Sequence, residues 1–159
     1  MLQKYITVFF ISMVPLIELR GAIPYSAVMG LPLVQSYIIA IIGNMLPVPI
    51  IYLFARKVLE WGVDKPVLGG FFTWCLEKGK RGGEKLQAKA GRGLFIALLI
   101  FVGIPLPGTG AWTGTLAASL LDIDFKSSIL AVMGGVLLAG IIMGLASAGV
   151  LGALQSIVF

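Results

Sequence analysis

Two of the four apolar blocks in this chain break near their middles, which limits what it can fold into more than any other feature. The blocks cover residues 5–31, 33–55, 94–121 and 128–158, and each exceeds the roughly 20 residues a helix needs to cross a bilayer. Pro15, Gly21 and Pro24 interrupt the first, and Pro105, Pro107, Gly108 and Gly110 the third. A proline removes a backbone donor and pushes the preceding residue away from helical angles. Val14, Ile23, Ile104 and Leu106 are therefore expected to be poor helix-interior positions. Irregular backbone at membrane depth survives only when buried in protein or lining a water-filled cavity. Helix, break, helix is the expected form of both blocks, as a re-entrant hairpin. The second block reads as a true span kinked in its later half by Asn44, Pro47 and Pro49, and the fourth as a second span.

Composition identifies the solvent. Hydrophobic residues make up 58% of the 159 and charged residues 12%, with a mean hydropathy of +1.02, far from the soluble balance. The reading is an all-α, multi-pass integral membrane protein. Lys4 and the apolar run after it are expected to be mature protein, because Glu18 and Arg20 arrive where a signal cleavage region is small and neutral. One cysteine, Cys75, and no histidine exclude an internal disulfide and argue against a zinc or histidine-based site. No cofactor and no metal is expected. Nine of the twelve Lys and Arg residues fall between Arg56 and Arg92, the pattern of a cytoplasmic loop rather than a nucleic-acid surface. This connector, 56–92, reads as an interfacial helix carrying Phe71, Trp74 and Cys75 on one side and the pairs Glu77 with Arg81 and Lys80 with Glu84 on the other. Gly79, Gly82 and Gly83 make a partly ordered basic loop an equal alternative. Trp61 and Trp74 read as interfacial anchors.

Glu18 and Arg20 are the only charges inside the apolar blocks. At a bilayer centre each costs about 2.5 to 3.5 kcal/mol on insertion scales, so such residues face a cavity, a partner or a ligand. On a helix, residues two apart point about 200° apart, whereas on extended chain they share a side; the flanking prolines favour the extended case. Glu18 is then a proton-titrating or cation-contacting group, with Arg20 its partner or an anion contact. The structural alternative is a permanent ion pair holding the hairpin tip. At the other tip, the stretch Gly108-Thr109-Gly110-Ala111-Trp112 offers amides and hydroxyls to an anion or polar headgroup, or glycines for close packing of the tips. Thr113 belongs to the same tip. Asn44 reads as an interhelical hydrogen-bond group, and Asp122 and Asp124 as solvated or as caps of the next helix. Gly140 and Gly144 form a small-xxx-small pattern that serves packing within the chain or between chains.

The halves also repeat. Pro15, Gly21 and Ala22 answer Pro105, Gly110 and Ala111, and Ser36 to Gly43 answers Ser127 to Gly134. If each half is a hairpin plus one span, it crosses the membrane once, and the second half is inverted relative to the first, a transporter architecture. The rival topology has four complete spans; an N-terminus on the outside would support the hairpins.

The stretches Pro15-Leu-Ile-Glu18-Leu-Arg20-Gly21-Ala22-Ile-Pro24 and Pro105-Leu-Pro-Gly-Thr-Gly110-Ala-Trp112-Thr-Gly114 resemble the putative small multidrug export protein family, over nearly the whole chain. That family looks related to the DedA (SNARE-associated, VTT-domain) superfamily of bacterial inner-membrane proteins, which implies a place in the cell inner (cytoplasmic) membrane. The resemblance implies an inverted repeat of re-entrant hairpins with adjoining helices, proton-linked transport, and in some relatives undecaprenyl phosphate recycling or lipid scrambling. Glu18 matches the acidic position of the first hairpin. Where DedA proteins carry arginines beside the second, this chain has Thr109, Thr113 and Thr115.

The expected function is thus a small proton-coupled secondary transporter of a small amphipathic or lipid-like substrate. Its partners would be the lipid bilayer, protons and further copies in a homo-oligomer, with no nucleic acid. A polyprenyl-phosphate or lipid flippase or scramblase is the alternative, and a non-transporting assembly subunit a second. Threonines and one carboxylate beside an arginine are too few groups for an enzyme.

Overall fold

The computed structural model describes residues 2–67, 69, 70, 72–74, 77, 92–106 and 109–158, with Arg92 and residues 150–158 described by backbone alone. The described residues are helical throughout their regular structure: α1 (Leu2–Met13), α2 (Glu18–Val28), α3 (Leu33–Met45), α4 (Pro47–Val63), α5 (Arg92–Gly103), α6 (Ala111–Leu120) and α7 (Phe125–Val158). Residues 78–91 of the connector, with Phe71, Cys75 and the pairs drawn through Lys80, Arg81 and Glu84, lie outside the described residues, as do Pro107 and Gly108 at the second tip.

The long helices follow the second and fourth blocks. α3 and α4 form one rod, Leu33–Val63, interrupted only at Leu46. Pro47 and Pro49 sit in the first turn of α4, where their missing amides leave no hydrogen bond unmade. The rod continues to Val63, past residue 55, because Arg56, Lys57 and Glu60 end the apolar block without ending helix propensity. Exposed Trp61 carries the Lys65 ammonium 4.1 Å over its ring. α7 begins at Phe125 because Asp124 caps it, accepting from the Ser127 amide at 3.1 Å. Leu33–Val63 and Phe125–Gly149 are both long and apolar enough to cross a membrane, which gives an all-helical chain of membrane character.

The first and third blocks each fold as two short helices around a break, at residues 14–17 and 104–110. Val14, Ile104 and Leu106 lie in the breaks, as their neighbouring prolines require. Ile23 does not: Gly21, Ile23 and Pro24 lie inside α2, so Pro24 is not at a tip. An interior proline costs about 3 kcal/mol. Here the flanking residues Leu19, Ala22 and Ile23 are all buried in the core, so packing holds the helix through it.

The halves share local structure at one constant shift. α2 closes with Leu31 N–H donating to Ser26 O at 3.0 Å and Gly30 N–H to Ala27 O at 3.1 Å, with Gly30 at φ 68°. α6 closes with Ile123 donating to Ala118 O at 3.0 Å and Asp122 to Ser119 O at 3.4 Å, with Asp122 at φ 54°. Both are helix ends with a left-handed closing residue. At the same shift Ser36 matches Ser128, both buried and bonded to a carbonyl behind them. Gly43 matches Gly135: a Cβ on Gly43 would meet Phe9 O of α1, and one on Gly135 would meet Leu99 O of α5. Each long helix thus packs through a glycine on the first short helix of its own half. The alignment read from sequence is therefore off by one residue here, and Gly110 corresponds to Glu18 rather than to Gly21.

Across the halves, α7 packs on α2 and α4 packs on α6, with α3 against α7 between them. Ala22, Ala40, Ala111, Ala118 and Ala131 are fully buried beside Leu19, Ile23, Val102, Val132 and Val136. With lipid outside, such a core is held by close van der Waals contact and polar bonds rather than by excluding water.

Candidate functional site: a clamp between the two breaks

Glu18 and Arg20 both lie on the first turn of α2, which separates their side chains around the helix, contrary to the extended reading. Among the described residues no ion pair joins them. Each engages the other half instead. The Glu18 carboxylate, 3% exposed, accepts from the Ala111 amide at 3.1 Å through Oε2 and from the Trp112 amide at 3.0 Å through Oε1. These are the first two amides of α6, left without partners by the helix and lying at its positive end. Gly110, the residue before them, has no side chain to cap with, so the cap comes from Glu18.

The fit demands glycine at 110. Its φ is 128°, and a Cβ there would lie 2.3 Å from Glu18 Oε2. The first break has its own strain, with Leu16 at φ 71° and Glu18 at φ 50°, an arrangement costing on the order of 1 kcal/mol or more per residue.

Arg20 reaches the opposite helix end. Its Nη1 donates to Leu106 O at 2.5 Å, and its Nη2 lies 3.2 Å from Val102 O, 3.1 Å from Ile104 O and 2.8 Å from Thr109 Oγ1. Val102 O belongs to the last turn of α5 and the other two carbonyls follow it, at a helix end where a cation is favoured, and the planar fork suits several acceptors at once. The Thr109 hydroxyl in turn donates toward Ile104 O and Leu106 O, at 2.8 Å each. Arg20 Nε is buried without a partner. From the second half, Trp112 Nε1–H donates to Met13 O at the end of α1, at 3.1 Å. Trp112 stands where Arg20 stands in the first half, so the two donors cross.

Magnitudes decide what this accomplishes. A hydrogen bond to a charged group contributes about 1.5 to 3 kcal/mol net. Two such bonds to Glu18 match or exceed the about 2.5 to 3.5 kcal/mol of placing a charge at the bilayer centre. The helix ends therefore neutralise both charges, and the charges join the two breaks.

The sequence picked out Glu18, Arg20, Thr109, Gly110 and Trp112, and the structure brings these five together. Pro15 and Pro105 lie in the two breaks, and Thr113 lies on the first turn of α6. Gly21 and Pro24 lie within α2, and Asn44 lies in α3, 1% exposed with its Oδ1 unpartnered. Of the amides expected to be free for a ligand, those of Ala111 and Trp112 are taken by Glu18, and that of Thr109 donates to Leu106 O at 3.2 Å. Sequence reasoning missed the Val102, Ile104 and Leu106 carbonyls and Met13 O, since main-chain groups leave no mark in composition. The available signal was Gly110-Ala111 opening a helix opposite an uncapped acid. Another lock, also missed, ties α4 to the α6–α7 turn: Arg56 pairs with Asp122, the second contact at 3.0 Å, Tyr52 O–H donates to Ile123 O, and Ser119 O–H donates to Tyr52 O at 2.9 Å.

A helical membrane chain whose short broken helices are joined at their breaks defines a class, and the family comparison makes it specific. The chain belongs to the family described as Putative small multi-drug export protein, whose model matches residues 18–142. The match begins at Glu18 itself. No curated protein and no solved structure matches the chain.

Proposed function

We propose that this chain is a small secondary transporter of the cytoplasmic membrane that exports a small amphipathic molecule, with protonation of Glu18 releasing the clamp. The carrying observation is the hold of Glu18 on the first amides of α6. The pull of two amides and a helix end on a carboxylate depends on its charge. A neutral acid is held less, so protonation loosens the joint between the halves while Arg20 keeps the second helix end in place. Helix lengths support re-entrant hairpins: α1, α2, α5 and α6 have 12, 11, 12 and 10 residues. At about 1.5 Å per residue these are some 15 to 18 Å long, about half the hydrocarbon thickness. Each pair then enters and leaves on one side, each half crosses once, and the second half is inverted.

The test is flux of a cationic amphipathic dye in proteoliposomes under an imposed pH gradient. The expected result is gradient-driven flux that Glu18→Gln abolishes while the protein remains monodisperse in detergent. Flux indifferent both to the gradient and to Glu18→Gln would overturn the proposal.

A further inference from the structure

The rod formed by α3 and α4 is longer than a bilayer core is thick. At about 1.5 Å per residue, a helix that starts at Leu33 has crossed roughly 30 Å of hydrocarbon by residue 53, which leaves the end of α4 at headgroup level. Ile50, Leu53, Phe54, Lys57, Val58 and Trp61 follow the spacing of a single helix face, and all are exposed. The face is apolar until Lys57, where charge enters. Lys57 Nζ lies 5.6 Å from the centre of the Phe54 ring, and Lys65, just past the helix, brings its Nζ to 4.1 Å from that of Trp61. Both ammoniums therefore sit on the face that meets lipid. Arg56, beside them in sequence, is held by acids, with Glu60 at 3.5 Å and Asp122 across the α6–α7 turn. Among the described residues no acid pairs with Lys57 or Lys65. A ring covers one side of an ammonium and leaves its other N–H donors available. Charge at this end is also one-sided: residues 56–92 hold nine Lys and Arg against four Asp and Glu, which is the whole net charge of +5. The repeat shows that the fold does not require such a face. At the constant shift, α7 carries Ala146, Gly149 and Ala153 where α4 carries Phe54, Lys57 and Trp61.

We infer that this face of α4 binds an anionic phospholipid, its chains along Ile50, Leu53 and Phe54 and its charged headgroup against Lys57 and Lys65 beside Trp61. Cations at the membrane surface attract negatively charged lipids, whereas a zwitterionic headgroup brings an ammonium of its own that the two lysines repel. An indole at headgroup level is the usual place for tryptophan. An acidic soluble partner would reach the lysines but not the apolar residues below them, which lie at membrane depth. The inference does not depend on the clamp or on transport.

Photolabelling of the whole chain in nanodiscs of phosphatidylcholine and phosphatidylglycerol tests it, with a diazirine near the top of one acyl chain and the labelled residues read by mass spectrometry. Expected is labelling of residues 50–58 by the phosphatidylglycerol probe about fivefold or more above that by the phosphatidylcholine probe, competed by unlabelled phosphatidylglycerol. Lys57→Gln with Lys65→Gln brings the two probes level, while Lys57→Arg with Lys65→Arg keeps the difference. Both lysines are exposed, so an unchanged thermal midpoint is expected for each pair of substitutions. Equal labelling by the two probes in the unaltered chain overturns the inference. So does a preference that the glutamine pair leaves unchanged, which would assign the anionic lipid to the rest of the connector.

Discussion

The two breaks do opposite jobs. The first, at residues 14–17, is short and strained, and it delivers side chains: a carboxylate and a guanidinium from the turn of α2 that follows it. The second, at 104–110, is longer and neutral, and it receives them mainly with main chain: amides at the start of α6, and carbonyls at and just past the end of α5 with the Thr109 hydroxyl beside them. Among the described residues it returns a single bond, from Trp112 to Met13 O. The difference shows how a repeated unit can diverge without losing its backbone. Glu18 and Gly110 hold matching positions with positive φ, one as a capping acid and the other as the gap that admits it.

Perturbing the receiving side should do the most damage. Gly110→Ala sets a methyl group 2.3 Å from Glu18 Oε2 at a φ of 128°, and the expected loss is about 3 kcal/mol or more, read as a large fall in thermal midpoint in detergent. Introducing Glu18→Ala alongside it removes the collision; recovery of part of the loss would apportion sterics against backbone strain. Arg20→Lys comes next, at about 2 kcal/mol, because a point charge cannot span the acceptors that the guanidinium reaches together. Trp112→Phe removes the one returning bond and should cost about 1 kcal/mol in the same assay. A Trp112→Phe loss larger than that of Arg20→Lys would mean that the second break is not mainly a receiver.

The order of elements was legible in the sequence because it rests on strong local signals. Prolines at 15 and 105 mark the breaks, Pro47 and Pro49 mark the kink, and the long runs from Leu33 and Phe125 mark the spans. Pro24 misled, since its cost is local while the burial of Leu19, Ala22 and Ile23 that offsets it comes from distant helices. The Glu18 and Arg20 positions were visible as charges in the wrong solvent, but not their direction. That follows from which side of α2 faces α5 and which faces α6, and no spacing within residues 15–24 encodes it. The repeat was visible through its serines and glycines, yet its register became clear only from matching turns at Gly30 and Asp122, residues with nothing in common but a left-handed backbone.

The clamp also bears on how the chain is made. Among the described residues, every hydrogen-bond partner of the Glu18 and Arg20 side chains lies beyond the basic connector, so a ribosome releasing the first half exposes a carboxylate and a guanidinium long before their acceptors and donors exist. An N-terminal stretch emerges and begins folding first, but here it has nothing to settle against at membrane depth. The expected outcome is a nascent first half that waits near the headgroups and enters only as α5 and α6 are delivered. A fragment ending in the connector should be extracted from membranes by alkaline carbonate, and the whole chain should resist it.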